Sequence, residues 1–545
     1  MRHDVDVLII GAGMSGIGLG VQLIQQHKTR NFEIIEKSRH VAGTWSANTY
    51  PGCGCDVPSH FYSYSFALNP NWSRKFALQP EIQAYFEQVA LQYNIPSHTQ
   101  FGHEVVSASW DDAAGVWIVK IRDLKTTETY LRRAKILISA AGALSIPRKC
   151  DIPGAASYRG RMFHTAKWDH SFDWKDKNVV VIGNGCSATQ VVPCISEGSG
   201  AAKRVTQFSR QAHWLAERPN PEYAQLFRLA MKYIPLLMRA YRAKLYWEKE
   251  RDFRGFDLIT GKDTRRKWTA ETIDYIRKNS PSKYHDFLVP KSEIGCKRRV
   301  NDTDYLLSLH RPNVELVYDD PAAEITEDGV RTESGRFVPA DAIVLANGFE
   351  TQKFLFPMEI RGRDGADLYH HGVPSSYLGT CVSGFPNFFM MMGPNTLSGH
   401  LSVIYTTECQ INFAMRLIAP VLRAVNNSRS RLPSIRSSPD VVEVHHSAEA
   451  KDIEEVQEKA SKLVWASGCT SWFIETVSKR NSIMFPDWQY QFWLRTVFIR
   501  WKDFSYTSSK NWAADARKTS PGAGSLLGVV LSIAIGAYVS WNWSR

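Results

Sequence analysis

The sequence predicts an α/β protein with two Rossmann-like dinucleotide-binding domains, a helical insertion in the second, and a C-terminal transmembrane helix. Three observations predict it. A strand, glycine turn and helix follow one another twice, apolar residues recur at helical spacing between about 221 and 290, and the chain closes on an uncharged run at 524–543.

The first repeat begins with Val5-Asp6-Val7-Leu8-Ile9-Ile10, a near-continuous apolar run of the kind that forms a parallel strand buried on both faces. It enters Gly11-Ala12-Gly13-Met14-Ser15-Gly16 and then a helical run from Ile17 to Gln25. In Gly11-x-Gly13-x-x-Gly16 the first glycine makes the tight turn and the second lets a pyrophosphate approach the backbone. The third allows helix and strand to pack closely, and the helix N-terminus favours the phosphate charge. The next strand, Phe32-Glu33-Ile34-Ile35, ends in Glu36, which stands 20 residues beyond Gly16, where a carboxylate accepts hydrogen bonds from ribose hydroxyls. This unit reads as an FAD site.

The second repeat runs from Asn178-Val179-Val180-Val181-Ile182 into Gly183-x-Gly185-x-x-Ala188, with the alanine that the fingerprint permits in third place. Its following strand, Arg204 to Phe208, ends in Ser209-Arg210 and lacks an acid. A carboxylate there would repel a 2′-phosphate and a guanidinium pairs with it, so this site favours NADPH over NADH.

Between the repeats, Trp117–Ile121 and Ala134–Ile138 read as strands and Gly142 to Pro147 as the crossing between domains. Leu226, Leu229, Ala230, Tyr233, Leu237, Ala240 and Tyr241 mark the helical insertion, interrupted near Pro235. Val314–Val317 and Asp341–Leu345 restore the strand pattern, so the first domain is expected to be discontinuous. The boundaries expected are 1–147 for the first part of the FAD domain and 148–325 for the NADP domain with its insertion at about 221–290. The FAD domain then returns over 326–510, followed by a linker at 511–523 and the anchor at 524–543.

That last run is long enough, at roughly 1.5 Å per residue, to span a bilayer of about 30 Å. Lys510, Arg517 and Lys518 flank it upstream against Arg545 alone downstream, which predicts a single-pass anchor, in the endoplasmic reticulum, with the catalytic body in the cytosol. The net charge of +12 is scattered and forms no basic tail, which suits an anionic cofactor and a membrane surface and speaks against nucleic acid. Nine cysteines without a repeating framework are expected to be reduced thiols. The absence of Cys-x-x-Cys argues against a disulfide reductase and a zinc site. With two nucleotide sites and no dithiol, electrons pass from nicotinamide to flavin and on to another acceptor, for which O2 is the obvious candidate.

Four further stretches carry a family resemblance. They are Ala42-Gly43-Thr44-Trp45 running on to Pro51-Gly52-Cys53-Gly54-Cys55-Asp56; Tyr158-Arg159-Gly160-Arg161-Met162-Phe163-His164-Thr165-Ala166-Lys167-Trp168-Asp169; Cys296-Lys297-Arg298-Arg299-Val300-Asn301-Asp302; and Gly384-Phe385-Pro386-Asn387 with Gly393-Pro394-Asn395-Thr396 and Gly399-His400. Together they resemble a Baeyer-Villiger-type flavin monooxygenase, a branch of the class B flavoprotein monooxygenases. Tyr158 stands where that family's fingerprint usually has phenylalanine, and Asn347 where many relatives have threonine.

The resemblance implies that NADPH reduces FAD, that the reduced flavin takes up O2, and that a flavin peroxide attacks a ketone to give an ester or lactone. It makes Arg298 the cation that protects the peroxide and polarises the carbonyl, and Asp56 the charge partner that holds it. Lys297 is expected to reach the 2′-phosphate with Arg210, and Thr44 and Trp45 to line the flavin pocket. His164 and Trp168 shape the link between domains. A lipophilic substrate is expected. Oxygenation of nitrogen, sulfur or carbon remains an alternative, as does a membrane-tethered flavoprotein without catalysis.

Overall fold

The computed structural model describes residues 3–368, 375–429, 440–469, 471–475 and 478–506. Two sheets organise it. In the first, Val5–Ile10 pairs in parallel with Phe32–Glu36 on one side and with the C-terminal half of Thr129–Ser139 on the other. Thr99–Phe101 extends one edge; His103–Asp111 and Val116–Asp123 extend the other as an antiparallel meander. The second sheet is wholly parallel, in the order Val314–Val317, Arg204–Phe208, Asn178–Ile182, Ala342–Leu345, Arg161–His164.

The two glycine turns are built alike. Gly11 N–H donates to the Ile35 carbonyl at 2.8 Å and Gly183 N–H to the Phe208 carbonyl at 3.0 Å, each joining the turn to the end of the next strand. Ala140 N–H returns to Ile10 at 2.8 Å and Ala346 N–H to Ile182 at 2.9 Å, so each turn is closed from its other side by a crossing segment. Both first glycines need the left-handed region, with φ of +100° and +116°, and a methyl on either would lie 2.6 or 2.4 Å from the carbonyl oxygen of Ala140 or Ala346.

The helix Met14–His27 is buried along most of its length, sandwiched between the sheet and the long helix Val403–Arg429. Its three glycines, Gly16, Gly18 and Gly20, lower helix propensity, and packing overrides that. At Gly18 a methyl would come within 2.9 Å of Ile411, so small residues here set the helix spacing.

Helices occupy Gln225–Tyr233, Leu237–Glu250, Lys262–Asn279 and His285–Leu288. The break between the first two falls at Pro235, next to Leu236 with φ of +63°. This segment also grips the first domain: half-buried Arg242 donates to the backbone of His60 and, at 2.7 Å, to the hydroxyl of Ser63.

Three sequence expectations change. Ala342–Leu345 stays in the second sheet, and the chain regains the first sheet with Glu359–Arg361 and Phe388–Met390. Strand pattern alone cannot say which sheet a strand joins, because both bury apolar side chains equally. The transmembrane helix is corrected next. Among the described residues no helix is long and apolar enough to cross a membrane. The longest, Val403–Arg429, carries Glu408, Arg416 and Arg423 and packs inside the protein. The described residues form an α/β fold with Rossmann-like units and without a membrane-spanning helix, so they give the expected single-pass anchor and its membrane localisation no support; the run at 524–543 lies outside the described residues. The thiols are the third change. Cys296 and Cys469, 173 residues apart, form a disulfide with Cα atoms 6.3 Å apart, while the other seven cysteines are free. Proximity across so long a separation is created by the fold and leaves no mark in cysteine spacing.

Candidate functional site

A cleft of about 1750 Å³ runs past both glycine turns and the two crossings. At its first end Gly11, Gly13 and Glu36 face it, with Thr44 and Trp45 alongside. Glu36 is buried, its Oε2 accepting from Ala12 N–H and its Oε1 from Ser38 N–H, both at 2.7 Å. Each carboxylate oxygen keeps a second lone pair, so the group can still receive ribose hydroxyls while it braces the turn. A methyl added at Gly13 would meet nothing closer than Gly43 Cα at 3.5 Å, which leaves the backbone approachable for a pyrophosphate. Trp45 donates from its indole nitrogen to the Tyr62 hydroxyl at 3.0 Å, fixing the ring at the cleft wall. Gly16 does not reach the cleft; its role is packing, since a methyl there would sit 2.0 Å from the Gly11 carbonyl oxygen.

At the second end Gly183 and Gly185 line the cleft, and a methyl at Gly185 would meet nothing within 4 Å, the open cradle that a phosphate needs. Ala188 is fully buried behind the turn. Arg210 is exposed at the cleft. Lys297 lines the same cleft, and its Nζ donates at 2.5 Å to Oε1 of Gln211, the residue that follows Arg210. Burial lowers the pKa of Lys297. His213 shares the cleft, and burial together with the Lys297 charge brings its pKa down to about 4, so it is neutral near pH 7.

Asp56 and Arg298 meet between the two ends. Arg298 Nε donates to Asp56 Oδ2 at 3.0 Å, and Nη2 lies 2.6 Å from the same oxygen. The Asp56 charge raises the Arg298 pKa against an opposing effect of burial, so the guanidinium stays charged. Both partners face the cleft. Asp56 belongs to a turn clamped on the second domain, where Gln190 donates to Gly54 O at 3.1 Å and Arg218 to Cys55 O at 3.2 Å. Arg298 is held from both sides. Val300–Asn301 pairs with Leu215–Ala216, Asn301 also donates to Asp56 O at 3.2 Å, and Cys296 is tied to Cys469.

His164 sits at the crossings, whereas Trp168 packs edge-on against Phe163 and Trp174. His164 Nε2 is 3.1 Å from Gly348 O, and its ring lies edge-on to Phe349. Asn347 donates to Lys149 O at 3.0 Å, so this side chain ties the two crossings together.

Gln211, His213, Gln190 and Arg218 escaped the sequence reading. Gln211 and His213 follow Arg210 closely, and that proximity was the one available signal. Gln190 and Arg218 act through backbone carbonyls 136 and 163 residues away, a relation that no local pattern carries.

Residues 8–227, which include both glycine turns, match the model of the family described as pyridine nucleotide-disulphide oxidoreductase. A Baeyer-Villiger monooxygenase of Pseudomonas aeruginosa is 33% identical over 496 residues, covering 90% of this chain and 89% of that protein. The FAD-binding monooxygenase ktnD of Aspergillus niger is 32% identical over 540 residues, covering 95% of this chain and 85% of that one. Among solved structures, the OTEMO complex with FAD and NADP superposes with a TM-score of 0.79 at 26% identity, covering 93% of this chain and 100% of that one.

Proposed function

The chain belongs to the Baeyer-Villiger-type flavin monooxygenases, and from that premise we propose that it inserts one oxygen atom of O2 into a lipophilic ketone to give an ester or lactone. It is an FAD- and NADPH-dependent monooxygenase. When bound, FAD reduced by NADPH supplies the oxygen-activating chemistry. The residues around the cleft do the rest.

The Gly11–Gly16 turn and the helix behind it receive the FAD pyrophosphate, and Glu36 receives ribose hydroxyls. Gly183, Gly185 and the helix carrying Ala188 do the same for NADPH, with Arg210 and Lys297 on the 2′-phosphate. Arg298 presents a permanent positive charge where the substrate's carbonyl oxygen gains negative charge as the new C–O bond forms. Asp56 is a positioning residue that holds the guanidinium at that place. The single observation that carries the ketone reading is this Asp56–Arg298 pair in the cleft, assembled from residues 242 apart.

Product analysis tests it. Incubation of the holoenzyme with NADPH, O2 and a panel of cyclic ketones, amines and sulfides should yield a product from ketones that gains one oxygen and hydrolyses in base with gain of water. N-oxides or sulfoxides without any ester would overturn the ketone reading.

Two site predictions accompany it. Arg210→Ala should raise KM for NADPH by about tenfold to a hundredfold, the value of one or two charge-assisted hydrogen bonds, and leave KM for NADH nearly unchanged. Steady-state kinetics with both nucleotides checks this; equal rises for both would remove Arg210 from the 2′-phosphate. Asp56→Ala should lower the amount of ester formed per NADPH by about tenfold or more at unchanged FAD content, with partial recovery in Asp56→Glu. A purely structural role would shift FAD content and thermal stability and leave that ratio alone.

A further inference from the structure

A chamber of about 70 Å³ adjoins the main cleft and shares Asp56, Arg298 and Leu401 with it. Phe256, Trp465, Phe473 and Met484 give it an apolar wall. At its rim Asp252 lies 3.4 Å from Arg299 and 3.9 Å from Lys249, so those charges serve one another. His400 is different. It lines the same chamber with a side chain only 3% exposed, and its Nε2 is held 3.0 Å from Oε2 of Glu250, which is 0% exposed and lies at the end of the insertion helix Leu237–Glu250. Glu250 also accepts the backbone N–H of Tyr490 at 3.2 Å, which keeps the carboxylate in place. The other ring nitrogen of His400, Nδ1, is buried and has no hydrogen-bond partner among the described residues.

A buried polar atom left unpaired is unfavourable, and a ligand that satisfies it gains by the same amount. Resting on the ketone reading above, we propose that His400 is a specificity-determining residue whose Nδ1 hydrogen-bonds a hydroxyl of the substrate, so that the preferred substrate is a hydroxylated lipophilic ketone. The carbonyl lies at Arg298 and the hydroxyl end enters the chamber, which has room for the edge of a ring and not for a whole molecule. A hydroxyl fits because it both donates and accepts, and so matches Nδ1 with or without its proton. The carboxylate of Glu250 fixes the ring and leaves Nδ1 as the free contact. A methylene at that place would leave the nitrogen unpaired.

The test uses the holoenzyme with FAD and NADP+, titrated with 2-decalone and with its monohydroxylated isomers, and reads binding from the absorbance of the bound flavin. At least one hydroxylated isomer should bind about tenfold or more tightly than the parent. His400→Phe should bring that ratio close to one, and His400→Asn, which keeps a polar group, should retain part of it. If no isomer outbinds the parent, or the preference survives His400→Phe, the assignment is overturned. Should His400→Phe fail to hold flavin because Glu250 is left unpaired, the wild-type and His400→Asn ratios decide. Product formation is scored separately. A His400-dependent binding preference with no ester formed would sink the ketone reading and leave the His400 contact standing, and ester formation without the preference would do the reverse.

Discussion

Arg298→Ala is expected to give a yellow protein that still oxidises NADPH and makes almost no ester. The loss in product formation should be about a thousandfold, the upper range for deletion of a single preorganised donor at a developing oxyanion. The electrons then leave as hydrogen peroxide, because NADPH, a proton and O2 balance to NADP+ and H2O2 when no substrate accepts the oxygen. Folding should survive. The pair is about a quarter exposed, 28% for Arg298 and 29% for Asp56, so Asp56 loses its partner without being stranded in a dry core. Arg298→Lys should recover little, since an ammonium cannot grip one carboxylate oxygen from two nitrogens and also face the cleft. The measurement is the ratio of ester, by mass spectrometry, to NADPH consumed, with peroxide quantified alongside. Coupling in Arg298→Ala close to that of wild type would remove this side chain from oxygen transfer. Because Asp56 raises the Arg298 pKa, no loss of activity in the neutral to mildly alkaline range should trace to this guanidinium losing its proton.

Gly16→Ala is expected to abolish stable FAD incorporation. The added methyl would lie 2.0 Å from the backbone oxygen of Gly11 and 3.0 Å from its carbonyl carbon. No flexible side chain can move aside there. Either the helix Met14–His27 retreats from its strand or the turn opens, and both spoil the geometry that receives a pyrophosphate. Overpacking at a site with a soft neighbour costs about 1–3 kcal/mol, and a clash with backbone exceeds that, a large fraction of a total stability of about 5–15 kcal/mol. The contrast within the molecule sharpens the prediction. Ala188 occupies the corresponding place in the second turn, fully buried and accommodated, so Ala188→Gly should leave flavin content unchanged and cost about 1 kcal/mol of helix stability. Flavin-to-protein absorbance and a thermal melt separate the two variants. A Gly16→Ala protein with wild-type flavin content would show that the close contact is not required.

Much of this was legible in the residues. Each glycine turn announces itself because its three small positions answer to local demands: a positive φ, an open cradle, a tight helix crossing. Glu36 and Arg210 are legible for a similar reason, since each follows its turn at the end of the next strand. Asp56 and Arg298 were found through family resemblance, because nothing in either neighbourhood says that it meets the other. The anchor expected at 524–543 came from the absence of charge in one window, a rule that measures apolarity and not location.

Other features had no local trace. The Cys296–Cys469 bridge, the grip of Arg242 on the backbone at His60 and the Glu250–His400 pair each join elements far apart in the chain. The sequence by itself determined that there are two dinucleotide units and that an acid closes the strand after the first turn where Ser209-Arg210 follows the strand after the second, because strand periodicity, turn conformation and the charge at a strand end are encoded within some thirty residues. Only the tertiary structure decided which sheet Ala342–Leu345 joins, where Arg298 is held, and what His400 faces, because those depend on long-range packing, in which distant side chains are brought together by burial and not by spacing.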